Sequence, residues 1–178
     1  MGAAPGGVLG MAGQRLSGGA SAAFWLKVSA SGKPLQPVFV KGSSDAVVRG
    51  HGLRANGVLL VGAQGAQGAD GQNAPGGKGG WLALLGAGDK LQWQKLYKVA
   101  YWNSAAAAKG GWILAGKAAA DGPMVASISD SGTLLWRTVL ASKGEVRGVA
   151  VTGPGTALAV GFEGLGTAAK TLLAGLAA

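Results

Sequence analysis

An all-β fold of repeated antiparallel meanders is what this sequence predicts, on three observations. First, WLKVSASGKPL (Trp25–Leu35), WLALLGAGDKLQW (Trp81–Trp93) and MVASISDSGTLLW (Met124–Trp136) share one pattern: a bulky apolar start, alternation, a small Gly-bearing turn and a second short apolar strand. Second, another phrase is interleaved with these: GVLGMAGQ (Gly7–Gln14), GVLLVGAQ (Gly57–Gln64), GWILAGK (Gly111–Lys117) and TALAVGF (Thr156–Phe162). Aligned on Gly13, Gly62, Gly116 and Gly161, its copies stand 49, 54 and 45 residues apart. Third, 35 glycines accompany 48% apolar and 13% charged residues, a composition rich in turns yet too apolar for disorder. A repeat of this length made of short strands predicts propeller blades.

The elements follow in order. Val8–Gln14, Phe24–Ser29 and Leu35–Val40 read as strands two to four of a blade without a first strand. Asp45–Leu53 turns at RANG into Val58–Gly62; a long loop leads to Trp81–Leu85, a turn at GAGD, and Leu91–Tyr97. The next unit runs through Ala100–Ala108, KGG, Trp112–Gly116, Pro123–Ser129, SDSG and Leu134–Leu140. The last begins with Val146–Val151, TGPG and Ala157–Phe162, and its tail Thr171–Ala178 reads as a third strand or a frayed helix. Period-two alternation between Gly-bearing turns is the mark of antiparallel meanders. The expected organisation is one propeller-type region over 1–178: a partial blade at 7–44, blades at 45–99 and 100–143, and a partial blade at 144–178. Such a chain leaves apolar faces open. It is read as a piece of a larger propeller. The alternative is a homodimer in a six-bladed ring, the C-terminal strands of one copy completing the N-terminal blade of the other.

Charge and composition exclude several function classes. The net charge of +9 favours anions in general. Its 16 basic residues are scattered with no cluster of five, so nucleic-acid recognition is not expected. Without cysteine there is no disulfide, thiolate metal site or Cys nucleophile. The apolar stretch Gly148–Phe162 is broken by Gly153, Pro154 and Gly155 and does not predict a membrane span. The opening MGAAPGGVLGMAGQRL lacks the basic region and apolar core of a signal peptide and reads as the middle of a repeat, leaving the compartment undetermined.

The unit AYWNSAAAAKGGWILAGK (Ala100–Lys117) with PMVASISDSGTLLWRTVL (Pro123–Leu140) resembles bacterial propeller repeats of the type "WL-x-K-L-D-x-x-G-x-x-x-W". SDSGTLLW (Ser129–Trp136) is similar to quinoprotein-type (PQQ-like) repeats, in which the turn before G-x-x-x-W docks a Trp between neighbouring blades. The likeness covers roughly Gly7–Phe162 and implies a propeller, periplasmic or extracellular if a signal peptide has been lost. A quinoprotein enzyme of this kind would need about eight blades and calcium ligands near the axis. The family's Lys-Leu-Asp is replaced by Ala83-Leu84-Leu85 and by Ser127-Ile128-Ser129; Lys27 alone keeps the basic position.

Residues able to carry chemistry are few. His51 is expected on an innermost strand as a channel-lining polar residue, since no second His exists to share a metal. The seven acids are dispersed, with no pair for glycoside hydrolysis. Ala74–Gly80 places a Lys among glycines ahead of a strand, where a phosphate loop needs a helix. Gly62–Gly71 has Gly at every third position but no Pro, and reads as a loop rather than a collagen repeat. Trp25, Trp81, Trp93 and Trp136 recur at repeat positions and are expected between blades; Trp102 and Trp112 fit the pattern least and are expected as exposed contacts. Connections from strand four to the next strand one, and from strand two to three, share one face. Lys41, Lys78, Lys98, Lys117 and Lys143 map there. The expected function is a non-catalytic binding or scaffold module, without cofactor or metal, recognising a protein or glycan through that loop face. The alternative is a fragment of a quinoprotein-like enzyme.

Overall fold

The computed structural model describes residues 2–4, 8–17, 20–65, 79–119, 122–141, 143–164 and 169–177. It is all-β, with four antiparallel sheets in chain order. The first holds β1 (Gly2–Ala4), β2 (Val8–Ser17), β3 (Ala20–Val28) and β4 (Val38–Phe39). The second holds β5 (Ala46–Arg54), β6 (Gly57–Gln64), β7 (Gly79–Leu85) and β8 (Leu91–Tyr97). The third holds β9 (Tyr101–Ala108), β10 (Gly111–Lys117), β11 (Pro123–Ser129) and β12 (Leu134–Val139). The fourth holds β13 (Gly144–Gly153), β14 (Thr156–Glu163) and β15 (Lys170–Ala177). Each strand pairs with its successor in the chain, so every sheet is a meander. No closed barrel forms among the described residues, consistent with a partial propeller.

Two local expectations are corrected and one alternative is resolved. The first sheet does possess a first strand: Gly2–Ala4 pairs with Val8–Gly10, too short to show alternation in the sequence. Its fourth strand shrinks from Leu35–Val40 to Val38–Phe39, because Pro34 and Pro37 have no N–H to give a ladder. The tail at 170–177 is a strand, held along its length by β14.

The sheets stack face to face because their strands are apolar on both sides. In β6, Val58 and Leu60 join Trp25 of the first sheet in one core, while Leu59 and Val61 join Trp102 and Trp112 of the third in another. In β10, Trp112 and Leu114 face back to the second sheet and Ile113 and Ala115 face forward to Val146, Ala157 and Ala159 of the fourth. Near-continuous apolar runs follow from this two-sided burial. Each fully buried Leu or Ile side chain stabilises by roughly 1.5–3 kcal/mol. The first strands β1, β5, β9 and β13 touch in succession, forming a common inner edge. The fourth strands β8 and β12 lie at the periphery and are largely exposed.

A bulge explains the repeated glycine. The pairing of β5 with β6 skips Arg49, that of β9 with β10 skips Asn103, and that of β13 with β14 skips Arg147. The extra residue drives a first-strand carbonyl against the partner strand. A Cβ at Gly62 would stand 1.9 Å from the Val47 carbonyl oxygen, at Gly116 2.2 Å from that of Tyr101, and at Gly161 2.1 Å from that of Glu145. Only glycine fits there.

At the periphery, consecutive sheets are fastened by turns. The Trp93 Nε1 donates to the Asp130 carbonyl at 2.8 Å, Lys95 Nζ to that of Ser131 at 2.7 Å, and the Tyr97 hydroxyl to that of Gly132 at 2.6 Å. A fourth strand of the second sheet thus grips the SDSG turn of the third. Gly132 there has φ of 74°, the left-handed region that suits glycine.

Candidate functional site

The loop end of the sheets is assembled by backbone bonds between the two kinds of connection. Gly65 N–H donates to the Asp45 carbonyl, Ala100 to that of Lys117 and Gly164 to that of Lys143, all at 3.1–3.2 Å. Lys41, Lys98 and Lys143 occupy the three connections that lead into β5, β9 and β13, and all three side chains are exposed. Among the described residues none of the three has an ion-pair partner. Lys78 lies outside the described residues.

Two expected contact residues are interior. Lys117 ends β10 and is only 5% exposed. Trp102 is fully buried, its ring edge-on to Tyr97 with centroids 6.0 Å apart and its Nε1 close to where a Gly80 side chain would begin. Trp112 is equally buried. The reason is shared: Trp102 and Trp112 pack in the core between the second and third sheets, among Leu59, Val61 and Leu82. Nor are cations confined to the loop end. Lys33, Lys90 and Lys109 are exposed at the opposite, turn end, while Lys27 and Arg54 there are engaged by Asp89 at 2.7 Å and Asp130 at 2.6 Å.

Just inside the loop end, the inner edge carries a polar chain that crosses three sheets. The Arg49 guanidinium of β5 lies 3.9 Å from the Tyr101 ring centre of β9. The Tyr101 hydroxyl donates to Glu145 Oε2 of β13 at 2.5 Å, and Arg147 Nε donates to Oε1 of the same carboxylate at 2.5 Å. Asn103 Nδ2 donates to the Val146 carbonyl at 2.9 Å. The bulge residues Arg49, Asn103 and Arg147 therefore all serve this chain. Burial pulls the Glu145 carboxyl upward, but the Tyr101 hydroxyl, Arg147 and Asn103 outweigh it and hold the group below the usual carboxylate range. Burial, with the Glu145 hydrogen bond and charge, pushes the Tyr101 phenol up, so it stays a neutral donor. The Arg147 side chain is 70% exposed and remains available to solvent.

Replacing Tyr101 by Phe removes a bond to a buried charge, with an expected loss of about 1.5–3 kcal/mol in urea unfolding at neutral pH. Because the folded Glu145 pKa is depressed, its stabilisation is complete above an unfolded value near 4.3 and is lost as pH falls through the folded value. The difference between wild type and Tyr101→Phe should therefore shrink in acid. A difference that stays constant to pH 2–3 contradicts this role.

His51 sits on the innermost strand as expected, but against the Trp25 ring rather than in a channel, edge-on at 5.3 Å, with burial lowering its pKa. Among the described residues no three His, Cys, Asp or Glu come together as metal ligands. Two clefts open at the turn end. One of about 330 Å³ between the first two sheets is bordered by Trp25, Lys27, Arg54 and Asp89. A more apolar one of about 490 Å³ between the third and fourth is bordered by Ile113, Leu135, Trp136, Val151 and Pro154. No helix among the described residues is long and apolar enough to cross a membrane.

The inner polar chain escaped sequence reasoning. Its one signal is that Arg49, Asn103 and Arg147 precede the repeat glycines Gly62, Gly116 and Gly161 by nearly the same interval, 13, 13 and 14 residues. Neither a family model nor a curated protein matches this chain.

Proposed function

We propose that this chain is a non-catalytic binding module of propeller type whose loop end recognises an acidic segment of a protein partner. One observation carries the reading. Among the described residues Lys41, Lys98 and Lys143 stand exposed and without an ion-pair partner, one in each connection between sheets, while the Glu145 charge is balanced by Arg147. Asp45, at the same end, offsets part of this charge. Fixed cations spaced along a rigid edge attract carboxylates without needing a deep pocket, and favour association rate and specificity.

The quinoprotein alternative gains no support from the residues: among the described residues no three acids gather as calcium ligands. The resemblance to bacterial propeller repeats remains part of this proposal, supported by the meander topology and by the docking of Trp93 on the SDSG turn.

The test compares two triple charge reversals by retention on immobilised polyglutamate, with heparin and duplex DNA as parallel probes. Lys41→Glu/Lys98→Glu/Lys143→Glu should weaken polyglutamate binding at least tenfold, whereas Lys33→Glu/Lys90→Glu/Lys109→Glu should change it little. Equal losses from both triples would reduce the effect to net charge and overturn the proposal. Stronger retention of the wild type on heparin than on polyglutamate would transfer the site to an acidic glycan.

A further inference from the structure

The two end sheets carry faces that are buried everywhere else in the molecule, and the two faces are of opposite kind. On the fourth sheet, Val160 pairs with Leu173 as Val61 pairs with Leu82 and Ala115 with Val125. Leu158 occupies the register of Leu59 and Ile113, each three positions before the repeat glycine of its strand. Those six counterparts, which face forward to the next sheet, are 0–1% exposed. Leu158, Val160 and Leu173 are 40%, 46% and 66% exposed. On the first sheet, Phe24 pairs with Gly13 as Trp81 pairs with Gly62 and Met124 with Gly116; Leu26 takes the register of Ala83 and Ala126. Those four counterparts face back to the preceding sheet and are fully buried, whereas Phe24 and Leu26 are only partly covered.

We infer that a second copy of this chain covers these faces, the forward face of one copy (Leu158, Val160, Leu173) packing on the backward face of the other (Phe24, Leu26). Such a contact repeats the sheet-on-sheet packing that the chain builds three times within itself, with the same strand positions meeting. A forward face on a forward face would be a packing the molecule nowhere uses. The interface is therefore heterologous, and two copies satisfy both faces at once only by closing on each other. Each copy brings four sheets, so the closed pair has eight and not six; the expected sharing of strands in an N-terminal blade is replaced by stacking of whole sheets. The inference is independent of the loop-end reading, since no lysine named there lies on either face.

Native mass spectrometry and light scattering on the full chain at micromolar concentration test it, with far-ultraviolet circular dichroism as the check on folding. The wild type should run at twice its 17.3 kDa mass. Leu173→Lys on the forward face and Leu26→Lys on the backward face should each give folded monomers. Val160→Asp provides a second forward variant if the first fails to fold, and Phe24→Ser a second backward one. Mixing a forward with a backward variant should restore a pair, because one of the two junctions is then wild type on both sides. A monomeric wild type overturns the inference and leaves the faces to another chain segment or partner. A dimer that survives the backward variants also overturns it, in favour of forward-on-forward pairing.

Discussion

Trp112→Ala is expected to cost about 3–5 kcal/mol of unfolding free energy, the range for removing a large aromatic side chain from a packed core. Trp112 has no exposed surface and stands in the cluster joining Leu59, Val61 and Leu82 of the second sheet to Leu114, Met124 and Ile128 of the third. Its ring is also covered by the Arg54 guanidinium at 4.0 Å, which in turn donates to the Gly111 carbonyl at 2.9 Å. Truncation therefore opens a cavity and removes the platform under a partly buried cation. The indole Nε1 has no hydrogen-bond partner despite its burial. Trp112→Phe should accordingly lose much less, since it keeps most of the ring and deletes an unsatisfied donor. Urea denaturation of both variants checks the pair of outcomes. A loss below about 1 kcal/mol for the alanine variant would mean that this junction is not the packed core described.

Gly62→Ala is expected to destabilise by about 3 kcal/mol, the upper part of the overpacking range. The added carbon would lie 1.9 Å from the Val47 carbonyl oxygen, 3.0 Å from its carbon and 3.2 Å from the Val48 Cα, all backbone atoms that cannot rotate aside. Relief requires β5 to separate from β6 or the bulge at Arg49 to move, and either displaces the Arg49 contact with Tyr101. Gly88→Ala makes a useful comparison: nothing lies near its side-chain position, though its φ of 69° adds backbone strain. Thermal unfolding should rank Gly62→Ala as the more damaging. The same loss at Gly116→Ala and Gly161→Ala would show that one bulge geometry recurs in three sheets.

The sequence made the meanders legible because each strand alternates and each turn carries Gly, as at Gly57, Gly111 and Gly132. The recurrence of Gly62, Gly116 and Gly161 was readable as a repeat, but its cause was not, since a bulge lies on the partner strand and leaves no mark at the glycine itself. Trp102 and Trp112 were misplaced at the surface for a related reason. They differ from Val48 and Val58 at the corresponding positions of the second sheet, and only the stacking of the third sheet on the second shows that they face its core. Lys117 was misplaced because its turn was counted as open, whereas the strand continues through it with both faces covered. The Arg49–Tyr101–Glu145–Arg147 chain required three sheets to be set side by side. Residues 98 positions apart in sequence (Arg49 and Arg147) become members of one network only then.

Each sheet draws its strands from a single contiguous stretch, and this bears on how the chain reaches its native state. A nascent polypeptide can finish one meander before the following one has been made, and every new sheet finds a ready surface on the last. Apart from the long connection between Gln64 and Gly79, loop closures are short, so the entropic hurdle at most stages is small. Within a single copy cohesion then accumulates unevenly: the two middle layers are clasped from both sides, the outer ones from one side alone until a second copy covers them. In an isolated copy fraying should begin at the ends and travel inward, sheet by sheet.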